Sequence, residues 1–144
     1  VLADWLPELR KLLPIYLETN GTLPDELERL LPHIDWISMD IKLDSLTGSA
    51  TDWDTHRDFL RLASRTNCYV KMVVADLTTD LEIQLAAKLV ADIAADIPLI
   101  LQPVTLDGRV AVSTQRLLTM QQSISAIYGN VRIIPQTHRF MEFR

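Results

Sequence analysis

The chain has 144 residues, 48% of them hydrophobic, and its 14 basic and 19 acidic residues give a formal net charge of −5. This length and composition allow one ordinary core, and they exclude a disordered, collagen-like or coiled-coil chain. The basic residues are scattered, which disfavours a nucleic-acid or membrane partner. We therefore expect a single domain over residues 1–144 that binds a small molecule.

Cysteine content sets further limits. Cys68 is the only cysteine, so an internal disulfide framework is excluded and the side chains predict no metal site. Cys68 opens an apolar segment, where it is expected to be a buried small hydrophobe. No apolar run approaches the ~20 residues that cross a bilayer. The prediction is a soluble, cytoplasmic protein.

The beginning of the chain resembles the middle of a structural element. Val1 leads directly into an amphipathic helical pattern over residues 2–13, which Pro14 ends. A natural start normally carries Met, so this opening favours a longer parent chain.

Apolar segments then alternate with helical patterns. The alternation implies right-handed βαβ crossovers and therefore an α/β fold with a parallel sheet. Thr22, Thr79 and Ser113 are predicted helix N-caps, with Glu82 completing a capping box after Thr79. Strands are predicted at about 15–20, 35–43, 68–75, 99–103 and 131–135, and helices over about 22–32, 53–65, 79–96 and 113–128.

Strand two alternates clearly between apolar and polar residues. Ile37, Met39 and Ile41 fall on one face, and the other face is polar. A doubly wound sheet requires apolar residues on both faces, whereas a barrel wall can carry polar groups that face a lumen. The pattern favours a barrel or part of one.

Polar residues of four predicted strands would converge on that lumen. They are Glu18, Asn20, Ser38, Asp40, Lys42, Lys71 and Gln102. Buried charges are tolerated when they pair with each other or serve a ligand. The cluster is thus a mutually satisfied network or a site, and a third interpretation leaves Asp40 and Lys42 in water at the strand end. His33 and His56 are interpreted as surface residues.

Five short segments, each at a strand end, resemble the radical S-adenosylmethionine enzymes, in particular the 7-carboxy-7-deazaguanine synthases and their relatives. The segments are Leu17-Glu18-Thr19-Asn20-Gly21-Thr22, Ser38-Met39-Asp40-Ile41-Lys42, Lys71-Met72-Val73-Val74, Leu101-Gln102-Pro103 and Pro135-Gln136-Thr137-His138-Arg139. Together they cover nearly the whole chain.

This resemblance implies part of a (β/α)6 barrel, a 4Fe-4S cluster, S-adenosylmethionine and possible Mg²⁺. The implied chemistry is hydrogen abstraction by a 5′-deoxyadenosyl radical from 6-carboxy-5,6,7,8-tetrahydropterin, followed by ring contraction to a 7-deazapurine for queuosine biosynthesis. By matching motifs, the S-adenosylmethionine side would be lined by Asn20, Ser38, Asp40, Lys42 and Gln102, with Lys42 holding the cofactor carboxylate. Substrate binding would fall to Glu18, Lys71, Gln136 and His138.

The chain departs from the family at its defining motif. The family holds its cluster with three cysteines spaced Cys-x3-Cys-x2-Cys, and Cys68 alone cannot replace them. The expectation is the C-terminal part of a barrel that lacks its first two strands and is inactive alone. The strand at 15–20 would then be an exposed apolar edge, which predicts self-association as a homodimer.

Two alternatives stay open. One is a non-catalytic α/β module that binds a nucleotide or small anion through Lys42, Lys71 and the helix N-terminus after Thr22. The other is a radical S-adenosylmethionine activating enzyme, because that branch shares the Asp-x-Lys pattern of strand two.

Overall fold

The computed structural model describes residues 2–137 as an α/β fold. In chain order the elements are α1 (Leu2–Arg10), β1 (Tyr16–Thr19), α2 (Pro24–Leu30) with a 3-10 turn (Leu31–His33), β2 (Trp36–Ile41), α3 (Asp44–Thr47), α4 (Trp53–Ala63), β3 (Asn67–Val74), α5 (Asp80–Ala91), β4 (Leu99–Pro103), β5 (Thr105–Leu106), β6 (Arg109–Val110), α6 (Thr114–Ser125) and β7 (Val131–Ile133).

Five of the strands form one parallel sheet, as the alternation of segments predicts. Its order is β1-β2-β3-β4-β7, so each strand pairs with the next long strand along the chain. Right-handed crossovers that always advance in one direction place every connecting helix on the same face of the sheet. Accordingly α1 contacts α2, α2 contacts α4, α4 contacts α5, and α5 contacts α6.

The core lies between the sheet and this single layer of helices. Ile37, Met39 and Ile41 of β2 point into it and are at most 1% exposed. Phe59 of α4 and Met120 of α6 are among the helix residues that pack there. The apolar half of each strand is therefore used by the core, and the alternate residues are left for the opposite face of the sheet.

Two of the predicted helix N-caps are confirmed and one is wrong. Thr79 and Glu82 form the expected capping box, and the Ser113 hydroxyl accepts from the backbone N–H of Arg116. Helix α2 begins after Leu23, with Pro24 in its first turn and no side-chain cap. Thr22 is not an N-cap because its hydroxyl donates to Asn20 Oδ1 instead (2.8 Å).

The structure adds two elements that sequence patterns did not predict. Helix α3 is a single turn in the loop after β2, and it ends at Gly48 with φ +71°. Strands β5 and β6 pair as a hairpin around the Asp107-Gly108 turn, where φ is positive at both residues. No helix within residues 2–137 is long and apolar enough to span a membrane.

Candidate functional site

The face of the sheet opposite the helices carries the polar side chains predicted for a lumen. Strand register pairs Glu18 with Ser38 across β1 and β2, and Asp40 with Lys71 across β2 and β3. Gln102 of β4 lies opposite Val73 of β3. The parallel register brings side chains from four strands to one surface, although they are far apart in the sequence.

Two lysine–carboxylate pairs dominate this surface. Lys71 Nζ lies 2.5 Å from Glu18 Oε1, and Lys42 Nζ lies 2.5 Å from Asp40 Oδ2. The cluster is thus paired internally. The side chains of Lys71 and Asp40 are 13% and 12% exposed, whereas those of Glu18 and Lys42 are 62% and 50% exposed. Each pair therefore joins one buried charge to one that reaches solvent.

The balance of charges keeps Lys71 protonated. Burial alone would lower the pKa of Lys71, but the hydrogen bond that Lys71 donates to Glu18 and the negative charges of Asp40 and Glu18 outweigh it. The pKa of Lys71 is consequently raised above its ordinary value. A positive charge on the sheet is held there across the neutral pH range.

Two buried oxygens on β2 remain without hydrogen bonds in the part of the chain that the structure describes. They are Ser38 Oγ and Asp40 Oδ1. Ser38 is fully buried and Asp40 is 9% exposed. Because buried polar atoms are normally satisfied, such acceptors are suited to a ligand that brings its own donor.

An open cavity of about 560 Å³ lies on the same face. Two phenol rings contribute to its walls, and the hydroxyls of Tyr16 and Tyr69 are hydrogen-bonded at 2.5 Å. The lining residues are Tyr16, Glu18, Tyr69, Lys71, Ile100, Gln102 and Ile134. The cavity combines aromatic walls, one amide and an ion pair, which is the composition of a small-molecule site.

The carboxyl end of β1 is fixed by a buried histidine. His56 is 2% exposed, so its interpretation as a surface residue is wrong. Its Nδ1 lies 3.2 Å from the carbonyl oxygen of Gly21, to which it donates. Burial lowers the pKa of His56, while Asp52 and Asp40 act in the opposite sense. His33, the other histidine interpreted as a surface residue, is half-buried at the end of the 3-10 turn.

A second carboxylate cluster lies beyond the end of β2. Glu82 accepts from the backbone N–H groups of Ser45 and Thr79 at 2.9 and 2.7 Å. Burial opposes ionisation of Glu82, but hydrogen bonds from Asp44, Ser45 and Thr79 outweigh it and lower its pKa to about 2. The pKa of Asp44 is raised because it hydrogen-bonds to Glu82. The hydrogen bond from Ser45 to Glu82 connects α3 to the start of α5.

The remaining predicted site residues lie at the rim or outside the described residues. Asn20 is exposed just after β1, where it accepts from Thr22. Gln136 Oε1 accepts from the backbone N–H of Thr105 at 3.0 Å, which ties the chain after β7 to the hairpin. His138 lies outside the described residues.

The chain's own residues do not fit an iron–sulfur cluster. Cys68 is buried on the helix-covered side of β3, and burial raises the pKa of its thiol to about 11. Such a thiol is a poor metal ligand because thiolates are required. Within residues 2–137, no group of three or more His, Cys, Asp or Glu side chains could hold a metal ion.

Comparison with known proteins adds the decisive similarity. The chain is 45% identical over 142 residues to the 7-carboxy-7-deazaguanine synthase of Geobacter sulfurreducens. It is 33% identical, over an alignment of 162 residues, to the protein of the same name from Methanothermobacter thermautotrophicus. The chain is homologous to proteins named 7-carboxy-7-deazaguanine synthase. No protein-family model matches it.

Coverage of the two 7-carboxy-7-deazaguanine synthases is one-sided. The alignments include 98% of this chain, but only 57% of the Geobacter protein and 65% of the Methanothermobacter protein. The match therefore includes all five long strands, the polar face of the sheet and both lysine–carboxylate pairs. It leaves a large part of each 7-carboxy-7-deazaguanine synthase without a counterpart in these 144 residues.

Proposed function

We propose that this chain forms the ligand-facing part of a radical S-adenosylmethionine enzyme of the 7-carboxy-7-deazaguanine synthase type. The observation that carries the proposal is the similarity of 98% of the chain to two proteins with that name. The polar face of the parallel sheet supports it, because a homologue that binds small molecules needs such a surface. The sequential strand order also suits one wall of a (β/α)6 barrel.

S-adenosylmethionine fits the residues of β2 and its neighbours. The proposed cofactor side consists of Asn20, Ser38, Asp40, Lys42 and Gln102. The unpartnered Asp40 Oδ1 and Ser38 Oγ can accept hydrogen bonds from a ligand. Lys42 can bind a carboxylate, and its ammonium group is positioned by the hydrogen bond that it donates to Asp40 Oδ2. The bound cofactor would supply the means of hydrogen abstraction from substrate.

The proposed substrate is 6-carboxy-5,6,7,8-tetrahydropterin, with Mg²⁺ as a possible further cofactor. Its side of the site consists of Glu18, Lys71, Gln136 and His138. Glu18 and Lys71 line the cavity beside Gln102, and the segment that contains Gln136 is attached to the adjoining hairpin. The role of this face is to bind and orient the pterin, with Lys71 providing positive charge for its carboxylate.

The cluster must be held by cysteines other than Cys68. Because Cys68 is buried and its thiol has a raised pKa, we propose that a Cys-x3-Cys-x2-Cys segment of the same gene product supplies the ligands. These 144 residues alone would then be inactive. Reading the gene on the N-terminal side of Val1 tests this point, and a start codon there without the three cysteines would contradict it.

The anion-binding module is less well supported. Besides the two lysines, it depends on the helix N-terminus after Thr22 for anion binding. Helix α2 has seven residues and no side-chain N-cap. The names of the two relatives likewise give no support to the activating-enzyme alternative.

A complementation experiment tests the proposed function. The natural gene that contains this chain is introduced into a bacterial strain lacking its own 7-carboxy-7-deazaguanine synthase, and queuosine in tRNA is measured by mass spectrometry. We expect queuosine to return. Stable expression of the gene product with no queuosine would contradict the proposal.

A further inference from the structure

Two tyrosine side chains reach towards each other across the polar face of the sheet. Tyr16 opens β1 and Tyr69 is the third residue of β3, and β2 lies between these two strands. Their hydroxyls are nevertheless hydrogen-bonded at 2.5 Å. The two phenols therefore extend over β2 from opposite sides and meet above it. We call this pair, Tyr16 and Tyr69, the tyrosine bridge.

The tyrosine bridge lies on the amino-terminal side of the ion pair between Glu18 and Lys71. Tyr16 precedes Glu18 by two residues in β1, and Tyr69 precedes Lys71 by two residues in β3. Side chains two residues apart share a face and are separated by about 6.6 Å along a parallel strand. The bridge is thus the next layer of side chains towards the amino ends of the strands.

The cavity on this face stops at the tyrosine bridge. In the strand register Trp36 pairs with Tyr16 and Ser38 pairs with Tyr69, so the bridge crosses β2 between Trp36 and Ser38. Trp36 is 49% exposed on the amino-terminal side of this crossing. Within the described part of the chain, both tyrosines and Lys71 line the cavity, whereas Trp36 does not. The bridge therefore separates the cavity from a further aromatic surface on the same face.

This separation limits the length of a ligand. Each phenol is a rigid ring attached to its own strand, and the central strand β2 keeps the two strands apart. Moving either ring breaks the hydrogen bond between the hydroxyls and removes ring packing. A ligand that ends at Lys71 leaves the bridge intact, whereas a substituent that continues past Lys71 along the sheet meets the phenols.

We propose that the tyrosine bridge is a specificity determinant. It admits a ring whose acid group ends at Lys71 and excludes a ring whose substituent continues towards Trp36. This inference rests on the proposed function for the pterin ring and for the place of its carboxylate, and it adds the two residues that set the size of the substituent. Tyr16 and Tyr69 act on the ligand through their bulk.

Two pterin acids of different length provide the test. Pterin-6-carboxylate carries its acid directly on the ring, whereas in pteroate the acid is at the end of a methylaminobenzoyl group. Each acid is titrated into the natural gene product without S-adenosylmethionine or reductant, and binding is followed by calorimetry or by pterin fluorescence.

The variants separate ring volume from the hydroxyl group. Tyr16→Ala and Tyr69→Ala each remove one ring, and Tyr69→Phe is the matched control that keeps the ring and removes its hydroxyl. Lys88→Met, on the exposed side of α5, is the control for a remote change. Circular dichroism verifies that each variant is folded. Tyr16 is 53% exposed, so Tyr16→Ala is expected to fold even if Tyr69→Ala does not.

The quantity compared is the ratio of the two dissociation constants in each protein. The wild type should bind pterin-6-carboxylate at least about tenfold more tightly than pteroate, and each alanine variant should reduce this preference at least about fivefold. Tyr69→Phe and Lys88→Met should keep the ratio within about twofold of the wild type, because ring volume causes the exclusion. A purely structural role of the bridge would weaken the binding of both acids alike and leave the ratio unchanged.

Four results would overturn the inference. They are absence of pterin-6-carboxylate binding, equal binding of the two acids by the wild type, an unchanged ratio in a folded alanine variant, and a ratio in Tyr69→Phe as low as in Tyr69→Ala. The complementation result is independent of these. Queuosine formed by a protein that does not distinguish the two acids would remove this inference and leave the proposed function, whereas discrimination that depends on the bridge without queuosine would do the reverse.

Discussion

Gly21 follows β1 with φ +66°. A Cβ atom added there would lie 2.8 Å from Met39 Cε and 3.3 Å from His56 Nδ1. We predict that Gly21→Ala destabilises the fold by about 1–3 kcal/mol, since backbone strain and close contact add together. Urea denaturation measures this, with Gly108→Ala as a control for the positive φ alone, because nothing lies within 4 Å of a Cβ atom at Gly108. An equal loss in both variants would show that close packing is not the cause.

His56 predicts an acid-sensitive contribution to stability. Burial lowers the pKa of His56 in the folded chain below 6.5. The unfolded chain therefore binds a proton at this histidine more readily than the folded chain does. The contribution of His56 to the free energy of unfolding is complete above about pH 6.5, the pKa of an unperturbed histidine. It is lost as the pH falls from there through the lower pKa that His56 has in the folded chain. Between pH 7.5 and 5.5 the wild-type chain should lose up to about 1 kcal/mol more than His56→Gln. Equal losses in urea denaturation would contradict the assignment.

Sequence reasoning succeeded for most residues of the polar face and failed for His56. Period-two alternation predicts that Ser38, Asp40 and Lys42 share one face of the sheet, because successive side chains of a strand point to opposite faces. Burial of His56 depends on contact between α4 and the turn at Gly21, which are far apart in the sequence. The pairing of Lys71 with Glu18 also depends on register, which periodicity does not determine.

At the level of elements, the start of α5 does more than a capping box requires. Besides its contacts with Thr79, Glu82 accepts from the backbone of Ser45 in α3. We predict that Glu82→Gln lowers the free energy of unfolding by about 1–3 kcal/mol at pH 7, because a carboxylate with several donors is lost. The control Glu26→Gln, at an exposed position of α2, should lower the free energy of unfolding by under about 0.5 kcal/mol.

The pH dependence of this cluster follows from the same contacts. The pKa of Glu82 is about 2 in the folded chain against an ordinary 4.5. Glu82 therefore stabilises the fold above about pH 4.5, and this contribution is lost as the pH falls towards 2. The pKa of Asp44 is raised, so its contribution to the pH dependence of stability has the opposite sign. The difference between wild type and Glu82→Gln should narrow over that range in urea denaturation. A constant difference would contradict the low pKa.

The elements themselves were predicted unevenly. The Thr79–Glu82 spacing predicts the capping box because that motif is local. The β5–β6 hairpin was not predicted, since strands of two residues carry too little periodicity. Helix α3 was missed for the same reason, being one turn long.

At the scale of the whole molecule, the edge strand and α1 leave apolar surface exposed within residues 2–137. Leu2, Trp5 and Leu13 are 44–62% exposed and line a groove with β1. We predict that the 144-residue chain associates with itself through this surface, because an open edge pairs readily. Light scattering should report a dimer or larger species, and Leu13→Lys should shift it towards monomer while Leu77→Lys does not. A monodisperse monomer of the wild-type chain would contradict the prediction.

The global arrangement was the most predictable level. Alternating strand and helix segments predict a parallel sheet, because each helical crossover returns the chain to the same end of the sheet. The observed sequential strand order is consistent with the barrel wall favoured by the polar face of β2.

The most direct test is an anaerobic assay of the natural gene product. It is supplied with iron, sulfide, S-adenosylmethionine, a reductant, Mg²⁺ and 6-carboxy-5,6,7,8-tetrahydropterin, and the product is identified by mass spectrometry. We predict formation of 7-carboxy-7-deazaguanine, with at least about a tenfold loss of turnover in Lys42→Met and wild-type turnover in Lys88→Met. Absence of this product from a folded, cluster-containing protein, or full activity in Lys42→Met, would contradict the account.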